Sequence, residues 1–264
     1  MNPAACKQAA ALLWRHFNDG SRFDKLPLEC RPADRTEGYA VQAEWARLSG
    51  EPVVGWKIAA TAKAGQQHIG VDGPLAGRLL RKRVLEPNAV IDLSANAMRV
   101  AEVEFAFRMA RDLPMRDQPY SIDEVMAAVG SLHRSVEVPD SRFEDFARVG
   151  AAQLIADDAC ASWLVLDEAI SSDWRALDLA AHAVSASING TKVADGSGAA
   201  VLGDPRIALA WIANELRVHG PGLHAGEVVT TGTAIVPAPI APGDHFEADY
   251  GPLGRLSVSF AAPT

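Results

Sequence analysis

The ten residues Val100-Ala101-Glu102-Val103-Glu104-Phe105-Ala106-Phe107-Arg108-Met109 carry apolar side chains at every odd position from Val103 to Met109 and carboxylates at two even ones. A period of two is the pattern of a strand. It turns Val103, Phe105, Phe107 and Met109 toward a core and sets Glu102 and Glu104 on the opposite face. Their Cα atoms then stand ~6.5–7 Å apart along the strand. Two like charges at that spacing repel unless water covers the face or a cation lies between them. The pair therefore reads either as an ordinary solvated strand face or as part of an ion site.

A second stretch carries the same signature. From Ser131 to Val138, Leu132, Val136 and Val138 share one side, while His133, Ser135 and Glu137 share the other. Three carboxylates, Glu102, Glu104 and Glu137, supplied by neighbouring strands would make a hard oxygen site suited to Mg²⁺ or Mn²⁺. Spacing alone does not make the strands neighbours. Lys57 stands in the apolar run Val53-Val54-Gly55-Trp56-Lys57-Ile58-Ala59-Ala60. It fits an edge-strand or snorkelling lysine, or one that steadies an anionic substrate or relays a proton.

Outward from these strands the chain divides. Residues 3–18 read as an amphipathic helix ending near Asn18-Asp19-Gly20, and Asp34 to Leu48 as a second helix closed by Gly50. Residues 1–50 are thus expected as a helical N-terminal part, and 51–264 as a β-rich catalytic domain. Asn189-Gly190 between Val184–Ile188 and Thr191–Val193 marks a type I′ hairpin, and a second hairpin is expected at His245–Tyr250 and Arg255–Phe260. Helices are expected at 62–69, 121–129, 151–158 and 204–218, the last capped by Asp204 with Pro205 at its first position. Strands and helices do not alternate regularly, so the expected class is α+β with a β-rich core.

Composition narrows the function. With 25 Lys+Arg against 33 Asp+Glu, the chain of 264 residues carries a formal charge of −8 and has no basic surplus for nucleic acid or anionic membrane. No apolar run reaches the ~18–20 residues of a membrane span. Cys6, Cys30 and Cys160 form neither a disulfide framework nor a CxxC pair, and a cytoplasmic protein is expected. Seven histidines show no zinc spacing, Gly196-Ser197-Gly198 lacks the Lys-Ser/Thr of a phosphate loop, and no Gly-x-Ser-x-Gly is present.

In order along the chain, Gly55-Trp56-Lys57, Gly65-Gln66-Gln67-His68-Ile69-Gly70-Val71-Asp72-Gly73-Pro74 and Ala101-Glu102-Val103-Glu104-Phe105-Ala106-Phe107 are followed by four further segments. These are Val136-Glu137-Val138 before Asp140-Ser141-Arg142, Ile155-Ala156-Asp157-Asp158-Ala159, Gly196–Pro205 and Thr230-Thr231-Gly232-Thr233. This ordered set resembles the 2-keto-4-pentenoate hydratase / 4-oxalocrotonate decarboxylase family of the fumarylacetoacetate hydrolase superfamily. The resemblance implies a mixed rolled sheet behind a helical N-terminal part. It also implies one divalent metal, Mg²⁺ or Mn²⁺, on Glu102, Glu104 and Glu137. Lys57 and Asp72 are implied as catalytic groups, with Thr231 and Thr233 lining the substrate pocket.

The implied reaction is addition of water to a 2-hydroxy-2,4-dienoate, giving a 4-hydroxy-2-keto acid, as in catabolism of aromatic compounds. Decarboxylation of a 2-keto dicarboxylate such as 4-oxalocrotonate is the alternative, with acylpyruvate C–C hydrolysis a third. The expected partners are a small anionic 2-keto acid, further copies of the chain in a homo-oligomer, and a pathway hydratase or decarboxylase. A family-like subunit supporting such a catalytic partner is the non-enzyme reading. Two positions depart from several hydratases. Leu75 stands where an acid follows the Gly-Val-Asp-x-Pro stretch, and Cys160 where some carry Ser. Both lack a polar group to position water, a need that decarboxylation does not share.

Overall fold

The computed structural model describes residues 1–263, so Thr264, the last residue of the expected catalytic domain, lies outside them. The chain opens with α1 (Pro3–Asp19) and α2 (Arg35–Ser49), followed by β1 (Val53–Ala59), α3 (Lys63–His68), β2 (Leu75–Leu80), β3 (Val84–Leu85) and β4 (Val90–Ile91). Then come β5 (Val100–Met109), α4 (Ile122–Ala127), β6 (Val129–Val138), α5 (Ala151–Ala156), β7 (Trp163–Ala169), β8 (Ala183–Ile188) and β9 (Thr191–Ser197). The last elements are α6 (Pro205–His219), β10 (Val228–Thr233), β11 (Ala238–Pro239), β12 (His245–Asp249) and β13 (Arg255–Phe260).

The local signals act where they stand. Asp34 accepts the Glu37 amide at 2.9 Å to start α2, and Asp204 accepts the Arg206 amide at 2.7 Å ahead of Pro205 in α6. Asn189 and Gly190 take φ of 51° and 79°, so β8 and β9 close in a tight hairpin. The helix expected over 151–158 stops at Ala156. Asp158, Ala159 and Cys160 that follow have φ of 55°, 49° and 62°, three consecutive left-handed residues.

The strands form two sheets. The larger runs β2-β1-β10-β5-β6-β7-β3, with β11 also paired to β5, and the smaller runs β4-β13-β12-β8-β9. Both combine parallel and antiparallel pairs: β1 lies parallel to β10 and β13 to β4, while β5 and β6 are antiparallel. This is an α+β fold with a curled mixed sheet. Tyr250, just after β12, ties the small sheet to the large one. Its hydroxyl lies 2.8 Å from the carbonyl oxygens of both Glu104 and Ser135, across the β5–β6 seam. Its ring stands edge-on to Phe105, with centroids 5.5 Å apart.

The helical pair has an apolar core of its own, with Leu13, Leu26, Val41 and Trp45 buried. That core continues into the β part through Leu80, Phe143 and Ala156. Residue 50 lies between α2 and β1, and one apolar seam runs across that point.

Candidate active site

Strand pairing decides the chemistry. In the β5–β6 register Glu102 faces Glu137 directly and Glu104 faces Ser135, so the three glutamates meet on one side of the seam. One carboxylate oxygen from each lies within 4.8 Å of the others. The face is not solvated: Glu104 is 0% exposed and Glu137 1%, with Glu102 half-buried. Glu104 Oε1 and both oxygens of Glu137 have no hydrogen-bond partner. Buried polar atoms left in that state are costly. They suit a hard divalent cation, which takes carboxylate oxygens as ligands.

A bulge aims one of these groups. The β10–β5 register slips between Thr230 and Thr233, and Gly232 sits in the slip with φ of +100°. Its amide donates to Glu104 Oε2 at 3.0 Å, leaving Oε1 free. A Cβ on Gly232 would stand 2.3 Å from the Thr61 hydroxyl, so the turn requires glycine for contact as well as conformation.

Lys57 comes from β1 and is 2% exposed. Its ammonium donates to the Ala159 carbonyl at 3.0 Å and lies 3.0 Å from Glu137 Oε1, an ion pair by distance without hydrogen-bond alignment. The left-handed run at 158–160 presents that carbonyl. Gly77, paired with Lys57 on β2, makes the approach possible: a Cβ there would be 2.3 Å from the Asp158 carbonyl oxygen and 3.1 Å from Lys57 Cδ.

The charges of this cluster do not balance. Three carboxylates against one ammonium leave a formal −2, which one divalent ion would cancel. Burial, with the neighbouring Glu137 charge adding to it, pushes Glu102 up to about 7. Burial and the other two carboxylates hold Glu104 well above the usual range. Burial opposes the Lys57 ammonium, but Glu137 and Glu102 outweigh it and keep its pKa above the ordinary lysine value.

The cluster opens on a cavity of about 640 Å³ whose lining includes Lys57, Glu102, Cys160 and Thr233. Burial, reinforced by the charge of Asp157, pushes the Cys160 thiol up to about 12, so it stays neutral. Two expected residues fall elsewhere. Thr231 is fully buried and donates to the Phe105 carbonyl at 2.8 Å, because the bulge turns it away while Thr233 faces the cavity. Asp72 is exposed on the turn after α3 and is not among the lining residues; its charge acts on Arg35. The structure sets it apart from the glutamate cluster and the cavity lining. The contributions missed from sequence are mainly backbone: the Ala159 carbonyl and the Gly232 amide. The Gly232 within Thr230–Thr233 was the one visible signal for the second.

A curled mixed sheet with three converging glutamates and a buried lysine at a cavity floor is the architecture of an enzyme built around a carboxylate centre. The chain belongs to the fumarylacetoacetate (FAA) hydrolase family, whose C-terminal domain matches residues 33–261. It is 33% identical over 229 residues to a 2-hydroxyhexa-2,4-dienoate hydratase of Comamonas testosteroni, covering 85% of each chain. It is 32% identical over 227 residues to a 4-oxalocrotonate decarboxylase of Pseudomonas sp. strain CF600, covering 85% of this chain and 84% of that one. A solved structure of 4-oxalocrotonate decarboxylase from Pseudomonas putida G7, complexed with magnesium and adipate, superposes with a TM-score of 0.89 at 27% identity over 98% of both chains. The protein is thus an enzyme whose relatives are hydratases and decarboxylases. Among the described residues no helix is long and apolar enough to cross a membrane.

Proposed function

We propose that the protein is a hydratase that requires a divalent metal, Mg²⁺ or Mn²⁺, and adds water to a 2-hydroxy-2,4-dienoate. The observation that carries this reading is the buried triad with its unpaired oxygens, set beside Lys57 at the floor of the cavity. Glu102, Glu104 and Glu137 would hold the ion, whose chemistry is to take up the substrate's carboxylate and C2 oxygen and stabilise the enolate charge.

The chain's own groups do the rest. Gly232 and Tyr250 fix the strand seam from which the glutamates project. Lys57 keeps its proton; one ammonium hydrogen goes to Ala159, and others are left for Glu137 and the substrate anion. The substrate loses its enol proton and gains one at C5. Hydroxyl from water then bonds to C4 and hydrogen to C3, giving the 4-hydroxy-2-keto acid. The apolar lining keeps other water away from the conjugated chain.

Decarboxylation of a 2-keto dicarboxylate is the second reading, favoured by one observation. Leu75 is buried in β2 and Cys160 carries a neutral thiol, so neither supplies a polar group to position water. We also place the protein in the cytoplasm and in a homo-oligomer, with β9 as an exposed edge strand open to a further chain.

Purified protein with Mg²⁺ should be incubated separately with 2-hydroxypenta-2,4-dienoate and 4-oxalocrotonate. Metal-dependent water addition supports the hydratase, and CO₂ release selects the decarboxylase. No turnover of either by the chain alone would overturn both.

A further inference from the structure

Resting on the reading of the site as a 2-keto acid centre, we infer that its substrate is a monocarboxylate whose far end is a sizeable apolar group. A second carboxylate has no place there. The cavity is asymmetric in charge. Its floor holds the buried Lys57 and the half-buried Glu102, and Lys57 is the sole Lys or Arg in its lining among the described residues. That ammonium is already engaged by Ala159 and Glu137. One substrate carboxylate can be served at the floor.

Toward the mouth the lining changes character. Ile69, Phe146 and the run Ala234–Pro237 are apolar, and Val236 is 78% exposed at the rim. The one acid at the rim, Asp195, is exposed and paired with Lys192, so that pair offers a second carboxylate no free cation. Only the exposed His68, edge-on to Phe146, could meet a distal carboxylate here; no lysine or arginine of the lining lies beside it, so its desolvation would be poorly compensated. An alkyl or aryl group would bury apolar surface against Phe146 and Val236 instead.

Size agrees with charge. About 640 Å³ falls within the ~300–1,000 Å³ of clefts that enclose drug-sized ligands, and a five-carbon acid would leave much of it to water. An exposed valine at the mouth has a use if a longer substrate covers it.

The test compares the Mg²⁺-loaded enzyme on straight-chain 2-hydroxy-2,4-dienoates of five, eight and ten carbons and on 4-oxalocrotonate. Expected is a kcat/KM at least tenfold higher for the ten-carbon acid than for the five-carbon one, with 4-oxalocrotonate poorest. Equal or better use of the five-carbon acid or of 4-oxalocrotonate would overturn the inference while leaving metal-dependent turnover intact.

Calorimetric binding of 2-oxopentanoate, 2-oxodecanoate and 2-oxoadipate in the presence of Mg²⁺ separates the two failures. Tighter binding of 2-oxodecanoate without turnover of any dienoate keeps the apolar-tail assignment and removes the hydratase. Tightest binding of 2-oxoadipate removes the assignment whatever the turnover. Val236→Lys should cut the ten-carbon preference severalfold and improve 2-oxoadipate binding; an unchanged ranking in that variant also counts against the inference.

Discussion

Arg142 and Asp157 lie as deep in the protein as Glu104 and Glu137, yet the two clusters are built on opposite terms. Every side-chain polar atom of Arg142 and Asp157 has a partner. Its Nε and one terminal nitrogen bond the Asp157 carboxylate and carbonyl, and the other terminal nitrogen reaches the carbonyls of Asp140 and Ala161 at 3.0 and 3.2 Å. The free Asp157 oxygen accepts from the Ser141 hydroxyl at 2.7 Å and the Arg142 amide at 3.0 Å. One positive charge meets one negative charge. The glutamate cluster sets three carboxyl groups against one ammonium, with three oxygens that accept no hydrogen bond. A closed ion pair fixes the chain ahead of the left-handed turn; an open one leaves capacity for a ligand. The same burial therefore marks structure in one place and chemistry in the other.

The contrast breaks or sharpens under matched substitutions. Glu104→Gln should lower Mg²⁺-dependent turnover by ~10³-fold or more, since a metal centre supplies several kcal/mol of charge stabilisation. In metal-free protein the same change should raise the melting temperature, because it removes an acid whose ionised form is disfavoured by burial and then by the two neighbouring carboxylates. Asp157→Asn should do the reverse and destabilise the fold by about 3–5 kcal/mol in denaturant unfolding, as removal of one partner from a buried pair does. If both substitutions shift stability in the same direction, the two clusters are not different in kind.

Lys57→Met sits between these cases. Turnover should fall ~10²–10³-fold, within the range for a positioned acid–base group, while metal binding persists because all three carboxylates remain. Loss of metal binding in that variant would make Lys57 a scaffold for Glu137. A gentler probe is pH. In metal-free protein Glu102 is raised to about 7, above its unfolded value of ~4.3, so the folded state holds the extra proton between those values. Stability is full below about pH 4 and falls as pH rises toward 7, by at most ~1.4 kcal/mol per unit for one proton. Mg²⁺ should stabilise more at pH 7 than at pH 5, as followed by thermal melts at both. Equal stabilisation at both would separate Glu102 from the ion.

Local chemistry made much of this legible. The Asn189-Gly190 turn, the Asp204-Pro205 start of α6 and the alternation along β5 each act through neighbours in sequence, and each stands in the fold where the pattern places it. The candidate glutamates could be named but not assembled. Their meeting depends on β5 pairing with β6 in the register that opposes Glu102 to Glu137, which no local pattern encodes. Their burial was hidden for the same reason, since an alternating polar face looks alike under solvent or under another layer. Thr231 and Thr233 sit two apart and would share a face on a regular strand; the bulge at Gly232 separates them. Asp72 lies in one of the segments that carry the resemblance, but it stands exposed on the turn after α3.

The most direct measurement is Mn²⁺ binding to metal-free protein, followed by electron paramagnetic resonance and competed with Mg²⁺. Expected is one Mn²⁺ per chain, displaced by Mg²⁺ and lost in Glu104→Gln and Glu137→Gln. No binding to the native chain, or native binding in either variant, would contradict the assignment of the buried triad as a metal centre.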